Sequence, residues 1–171
     1  MRYCILTLIF VLFILYACKP KQHSDAAPVN EKLKSQKEFL TKKRITSLNK
    51  ILGDSIITAK HVVFLYNGFG CGTCIDIGYR VSKTIDSLVQ TQMVYIISTS
   101  ANIGADQLRN EYINFVHNDE HDLVRSELRY IYTPVLLFLD STSRIDAIYY
   151  PNYNRNVKEE NAFVLNCLKK K

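Results

Sequence analysis

The stretch HVVFLYNGFGCGTC, residues 61–74, is the most informative part of this sequence. Residues 61–66 are mostly apolar, aromatic or β-branched, which predicts a short buried strand. Residues 67–70 contain two glycines, which permit a sharp turn. Cys71 and Cys74 follow, with two residues between them. The stretch therefore predicts a buried strand that leads through a tight turn into a cysteine pair.

A helix is predicted directly after this pair, because apolar and small residues recur at helical spacing. These residues are Gly78, Val81, Ile85 and Leu88. Cys71 would then lie at the helix N-terminus, where unpaired N–H groups and the helix dipole favour a thiolate. The thiolate is the species that attacks a disulfide. Cys74, one turn further along, would be placed to resolve the resulting mixed disulfide.

A CxxC pair by itself has three readings: a zinc site, a structural disulfide or a redox centre. A structural zinc site generally needs four protein ligands, and the sequence has neither a second CxxC nor a histidine pair at finger-like spacing. Of the remaining cysteines, Cys167 lies beside Leu165 and Leu168 in an amphipathic segment. We expect it to behave as a small buried hydrophobe.

The rest of the chain predicts further elements in a defined order. A strand at 93–98 is followed by helical regions within 105–115 and at 119–128. Thr133 and Pro134 then precede a hairpin of strands at 135–139 and 144–150, and a last helix spans 157–169.

Strand, CxxC, helix, strand, helix, Thr-Pro, hairpin and helix is an order that resembles the thioredoxin-like superfamily. The resemblance implies an α/β fold with a central mixed sheet flanked by helices, here with an N-terminal helical extension. In that family the proline before the hairpin is cis and lies against the CxxC. The resemblance therefore implies that Pro134 is cis and lies against the cysteine pair. The backbone at Thr133 would then be free to pair with an extended substrate segment. Together, the motif at residues 71–74 and Thr133-Pro134 resemble those of periplasmic disulfide isomerases and reductases more closely than those of cytosolic thioredoxin.

Three positions depart from the thioredoxin pattern. Gly70 stands where thioredoxin has tryptophan, Leu65 where it has a buried acid that assists proton transfer, and Thr73 where proline is usual. These changes affect the expected rate, reduction potential and direction of electron flow more than the expected fold.

The first residues indicate export. A basic start and a short apolar run to Ala17 are typical of a signal peptide, and the run is too short to span a bilayer comfortably. The ending at residues 15–18 resembles a bacterial lipobox, in which Cys18 is lipidated. The alternative is an ordinary signal peptide or signal anchor with a chance cysteine.

The predicted organisation follows from this leader. Residues 1–17 form the signal peptide, 18–30 a flexible tether, 31–54 a helical extension and 55–171 the thioredoxin-like domain. In lipoproteins of the Bacteroidota type, acidic residues after the cysteine favour surface display. Lys19 and Lys21 stand here instead, so we expect the membrane-anchored protein to face the periplasm.

The composition and charge of the chain limit the kinds of partner that it is expected to bind. The chain has 171 residues, is 47% hydrophobic and carries a formal charge of +6, which fits a globular protein. Its lysine-rich stretches are not interleaved with aromatic residues, so nucleic acid is not an expected partner. No dinucleotide or flavin motif occurs in the sequence, and no cofactor is expected.

Two metal alternatives were open. His117 and His121 are spaced i, i+4 and could share one face of a helix. The predicted fold instead places them in a connection between helices, where polar runs are ordinary, and this explanation is preferred. Copper-handling thioredoxin-like proteins bind Cu(I) through two cysteines and one histidine, but usually with three residues between the cysteines. No metal ligand is therefore assigned.

The sequence thus predicts a cell-envelope thiol–disulfide oxidoreductase, either a reductase or an isomerase. Its substrates would be protein thiols or disulfides, and a membrane electron donor would supply reducing equivalents. The alternatives are a Cu(I)-binding lipoprotein and a non-catalytic interaction lipoprotein with a structural disulfide.

Overall fold

The computed structural model describes residues 26–53, 59–99, 115–152, 154 and 156–169, with side chains from residue 31 onward. The chain divides into two compact units, residues 1–32 and residues 33–171. Within the described ranges, no helix is both long enough and apolar enough to cross a bilayer. The predicted signal peptide and Cys18 lie outside these ranges.

The described residues form helices and strands in the order expected from the sequence, with one additional strand. The helices are α1 (Ala26–Leu40), α2 (Leu48–Leu52), α3 (Gly72–Val89), α4 (Leu123–Glu127) and α5 (Val157–Lys169). The strands are β1 (His61–Tyr66), β2 (Val94–Ser98), β3 (Val116–Asn118), β4 (Val135–Leu139) and β5 (Ile145–Tyr149).

The five strands form one mixed sheet in the order β3-β2-β1-β4-β5. Strands β3, β2 and β1 are parallel neighbours, whereas β4 runs antiparallel to both β1 and β5. Leu65, near the end of β1, pairs with Val135 at the start of β4. This register brings the chain before β4 beside the turn that follows β1.

Strand β1 is buried along its whole length because helices cover both faces of the sheet. Its even-numbered residues, such as Phe64, pack in a cluster with α3 and α5. Its odd-numbered residues, such as Leu65, pack in a second cluster with residues of α1, α2 and α4. The continuous apolar run at 61–66 is therefore the centre of two cores.

The N-terminal extension differs from its predicted outline. Helix α1 begins at Ala26, inside the predicted tether, and the segment predicted as one helical extension contains two helices. Between them, Arg44 forms an isolated antiparallel bridge with Arg144. The amide of Lys42 also donates to the Ile145 carbonyl at 2.6 Å. The connection is thus tied to the outer edge of β5 by backbone hydrogen bonds.

The segment after β2 requires a correction. Residues 116–118 form strand β3, whereas the sequence placed His117 in a polar connection between helices. Three residues are too few to show a strand period in sequence, and the pairing with β2 is what makes them a strand. Helix α4 is also shorter than predicted, and the helix predicted within 105–115 lies outside the described residues apart from its last position.

Candidate functional site

Cys71 is the N-cap of α3 and leaves the turn after β1 in an extended conformation. Its carbonyl accepts a hydrogen bond from the Ile75 amide at 3.0 Å. Its Sγ accepts one from the Cys74 amide at 3.3 Å. The first turn of α3 therefore directs an N–H group at this sulfur, a contact that stabilises negative charge there.

The two cysteine sulfurs lie 2.6 Å apart without a disulfide bond between them. Cys71 is exposed and Cys74 is half-buried. The pair is thus arranged with one sulfur presented to solvent and its neighbour within bonding reach. This arrangement can exchange two electrons and two protons by closing and opening a disulfide.

Pro134 is cis, as the sequence predicted, and it lies against the turn that precedes the pair. A Cβ atom on Gly70 would be 3.9 Å from Pro134 Cδ and 3.1 Å from the Asn67 carbonyl oxygen. The Gly70 amide donates to that carbonyl at 2.8 Å, which closes the turn. The distance to Pro134 is an ordinary van der Waals contact, so Gly70 and Pro134 are neighbours, and the tight approach at Gly70 is to the backbone of the turn itself at Asn67.

Two segments meet at the site, and each carries an exposed aromatic side chain. Phe69 in the turn is 93% exposed, and Tyr132, directly before Thr133, is 52% exposed. Thr133 is half-buried. Exposed aromatic residues beside an exposed cysteine are suited to contacts with an apolar segment of another protein.

Helix α3 lies very close to the sheet beneath the site. A Cβ atom on Gly78 would be 2.3 Å from Cε2 and from Cζ of Phe64, so only glycine fits this contact without displacement. On the same face, Tyr79 donates a hydrogen bond to the hydroxyl of Tyr66 at 2.8 Å, and both tyrosines are buried. These contacts fix the depth of the helix that carries both cysteines.

Leu65 faces the opposite side of β1 and is fully buried in the apolar cluster with Ile131 and Val135. The position that holds an acid in thioredoxin is therefore filled by a well-packed core residue. Its apolar surroundings would strongly disfavour a charged carboxylate.

The other predicted residues do not join this site. His117 is in β3 while His121 is in the turn before α4, so the two do not share a helical face. Partial burial lowers the pKa of His117. Cys167 is half-buried and packs at the edge of the cluster beneath α5. In the part of the chain that the structure describes, no three histidine, cysteine or acidic side chains converge as metal ligands.

The sequence did not reveal a second group of interacting residues, which joins α3 to α5. Arg80 pairs with Glu160 at 2.8 Å, and Glu160 also accepts a hydrogen bond from the Tyr149 hydroxyl at 2.7 Å. Tyr149 is fully buried, so it serves packing. Arg80 and Glu160 are 80 positions apart in the chain, so their pairing has no local sequence signal.

Solved structures share this fold at low sequence identity. The exposed lipoprotein thioredoxin of Streptococcus pneumoniae matches with a TM-score of 0.50 and 13% identity, over 67% of this chain and 87% of its own. A hypothetical protein of Sinorhizobium meliloti matches with a TM-score of 0.50 and 15% identity, over 69% and 74%. A secreted disulfide oxidoreductase of Mycobacterium tuberculosis has a TM-score of 0.48 and 12% identity, over 66% and 84%.

No protein-family model matches the chain, and no curated protein matches it either. The structural matches and the mixed five-stranded sheet between helices show that the chain has the thioredoxin-like fold. The predicted fold class is thereby confirmed.

Proposed function

We propose that this protein, with its thioredoxin-like fold, is a thiol–disulfide oxidoreductase whose redox centre is Cys71 and Cys74. The observation that carries the proposal is the pair of sulfurs 2.6 Å apart at the N-terminus of α3, with Cys71 exposed. The cis-Pro134 segment beside the pair supports the same function, because it lies where a substrate chain would approach.

The proposed reaction is a two-step exchange. The Cys71 thiolate attacks one sulfur of a substrate disulfide, which forms a mixed disulfide and releases the other substrate sulfur as a thiolate that takes up a proton. Cys74 then loses its proton and attacks Cys71 Sγ. The Cys71–Cys74 disulfide forms, and the substrate leaves fully reduced. Two electrons have passed to the substrate, and an external dithiol donor must restore the pair.

Thr133 and Pro134 would shape the docking groove. The backbone at Thr133 would pair with an extended segment of the substrate, and this main-chain pairing would align the disulfide with Cys71. A protein thiol or disulfide is accordingly the proposed substrate class. We prefer reduction or isomerisation over oxidation because the motif resembles that of periplasmic disulfide reductases and isomerases.

The cell envelope is the proposed location. The support is the leader sequence, with a basic start, a short apolar run and a lipobox-like ending at Cys18. Acyl chains on Cys18 would anchor the protein, each buried methylene contributing about 0.8 kcal/mol. Labelled palmitate should enter the wild-type chain and not Cys18→Ala. Labelling that persists in the variant would reject the lipid anchor.

The enzymatic proposal is tested by reduction of insulin disulfides with the purified chain and dithiothreitol as donor. Cys71→Ser should lose activity, whereas Cys167→Ser provides a matched control and should keep it. In a separate reaction without dithiothreitol, reduced Cys74→Ser should trap a mixed disulfide with the substrate at Cys71, visible as a mass increase that later addition of dithiothreitol reverses.

Other outcomes would point elsewhere. Equal activity in the wild type and Cys71→Ser would reject the redox centre. A 1:1 Cu(I) complex in a chain without reductase activity would favour the copper-binding alternative. A Cys71–Cys74 reduction potential below about −300 mV in an inactive chain would favour a structural disulfide.

A further inference from the structure

Gln36 joins two segments that are distant in sequence. Its Oε1 accepts a hydrogen bond from the Tyr132 amide at 3.3 Å, across 96 positions of the chain. The same oxygen accepts one from the Tyr150 hydroxyl at 2.7 Å. Because a backbone N–H can only donate, the amide of Gln36 must face it through its oxygen. Gln36 therefore connects α1 to the residue directly before Thr133 and Pro134.

The helix that carries Gln36 is held in place by two residues that follow it. Leu40 is fully buried in the core cluster that contains Ile131. Lys37 Nζ lies 5.5 Å from the centre of the Tyr150 ring. Burial raises the pKa of Tyr150 well above its ordinary value, so its hydroxyl remains a donor. These contacts hold the Gln36 oxygen in the position from which it accepts the hydrogen bond of the Tyr132 amide.

The segment that Gln36 holds is otherwise under backbone strain. Arg129 and Tyr130 have φ values of 53° and 55°, a left-handed conformation that non-glycine residues adopt at a cost. The chain then passes through buried Ile131 to Tyr132 and Thr133. Buried Ile131, whose carbonyl accepts a hydrogen bond from Arg125 Nε at 3.4 Å, holds one part of this approach. The hydrogen bond from the Tyr132 amide to Gln36 holds the next residue, directly before the docking edge.

We propose that Gln36 is a positioning residue for protein substrates, acting through the Tyr132 backbone on the docking edge at Thr133. This inference rests on the proposed function. The N-terminal helix would then contribute to substrate docking in addition to connecting the domain to its leader. Small disulfides need no docking edge, so Gln36 matters for protein disulfides and not for the reactivity of Cys71 itself.

The test compares a protein substrate with a small one in the full chain. Gln36→Met keeps the length of the side chain and removes the acceptor, whereas Gln36→Glu keeps an acceptor oxygen. One lost hydrogen bond corresponds to roughly a fivefold change. In Gln36→Met we expect KM for insulin to rise about fivefold with kcat unchanged, which indicates lost binding. Reduction of a small aromatic disulfide should stay within about twofold.

Controls separate this inference from the proposed function. Ser35→Ala, an exposed neighbour on α1, should behave as wild type with both substrates. Gln36→Glu should keep KM for insulin close to the wild-type value. Equal losses with both substrates, or no change in KM for insulin, would overturn the positioning role. Loss of both reactions in Cys71→Ser would in the same experiment uphold the redox centre, so the two proposals can fail separately.

A second variant covers the case in which Gln36→Met does not fold. Tyr150→Phe removes the hydroxyl that fixes Gln36 but keeps the aromatic ring beneath Lys37. It should raise KM for insulin in the same direction and spare the small disulfide. An unchanged KM for insulin in a folded Tyr150→Phe chain would count against the proposal.

Discussion

Gly78→Ala tests whether the close contact between α3 and the sheet requires glycine. The added methyl carbon would lie 2.3 Å from Cε2 and from Cζ of Phe64. Carbon atoms prefer separations of about 3.5 Å or more, so the helix and ring must move apart by roughly 1 Å. The ring cannot yield easily because it is fully buried and packs against Tyr66 and Tyr79.

The expected magnitude comes from two opposing effects. Overpacking of a core costs typically 1–3 kcal/mol, and a contact this short belongs near the upper value of about 3 kcal/mol. Alanine at a helix interior position gains about 1 kcal/mol over glycine. The free energy of unfolding should therefore fall by about 2 kcal/mol, which lowers Tm by roughly 8 °C in a domain of this size. Without the clash, the same substitution would stabilise the protein.

Urea unfolding followed by far-UV circular dichroism measures this change, since the chain has no tryptophan. A double-mutant cycle with Phe64→Leu identifies its cause, because leucine lacks the two ring atoms that the methyl group would meet. The combined variant should be more stable than the sum of the single effects by at least about 1 kcal/mol. Ser87→Ala, exposed on the same helix, is the matched control and should change stability by under about 0.5 kcal/mol. A Gly78→Ala chain as stable as wild type, with no coupling to Phe64, would refute the reasoning.

Two further predictions concern pH. Burial lowers the pKa of both His61 and His117. As the pH falls, these histidines are therefore protonated more readily in the unfolded chain than in the folded one. The free energy of unfolding should decline as the pH falls below the ordinary histidine pKa of about 6.5. An unchanged urea midpoint between about pH 8 and pH 5.5 would contradict this. Partial burial opposes ionisation of Glu127, but hydrogen bonds from Thr46 and Ser47 outweigh it and lower the pKa of Glu127. Its contribution is present above its ordinary pKa of 4.5 and is lost as pH falls through the lowered value. Glu127→Gln should therefore cost about 1 kcal/mol at pH 7, and this cost should shrink as the solution is made more acidic than that ordinary value. A cost that does not change with pH would contradict the assignment.

Local patterns in the sequence were sufficient for the elements that carry the site. The apolar run at 61–66, the helical period after Cys74 and the hairpin at 135–149 each bury one or two faces, and such burial leaves a periodic signal. The cis conformation of Pro134 was predicted from the resemblance of this order to a known fold. Strand β3 was missed because three residues carry no period and depend on pairing with β2.

Contacts between distant segments could not be predicted in this way. Gln36 is an ordinary polar residue in its helix, and its role depends on Tyr132, which follows it by 96 positions. Gly78 fits the helical period as a small residue, yet its importance depends on the ring of Phe64 across the helix–sheet interface. Side-chain geometry between elements, rather than the type of each element, was the missing information.

The replacement of the buried acid by Leu65 changes where the proton of Cys74 can go. Leu65 is fully buried in an apolar cluster and has no group that could accept a proton. The hydroxyls of Tyr66 and Tyr79, on the other face of the sheet, are buried and bonded to each other. Cys74 is half-exposed, so solvent or the departing substrate thiolate is the expected acceptor of its proton. We therefore expect the resolving step to exchange its proton with solvent or substrate, so that its rate follows the ionisation of the thiols rather than that of a buried carboxyl group.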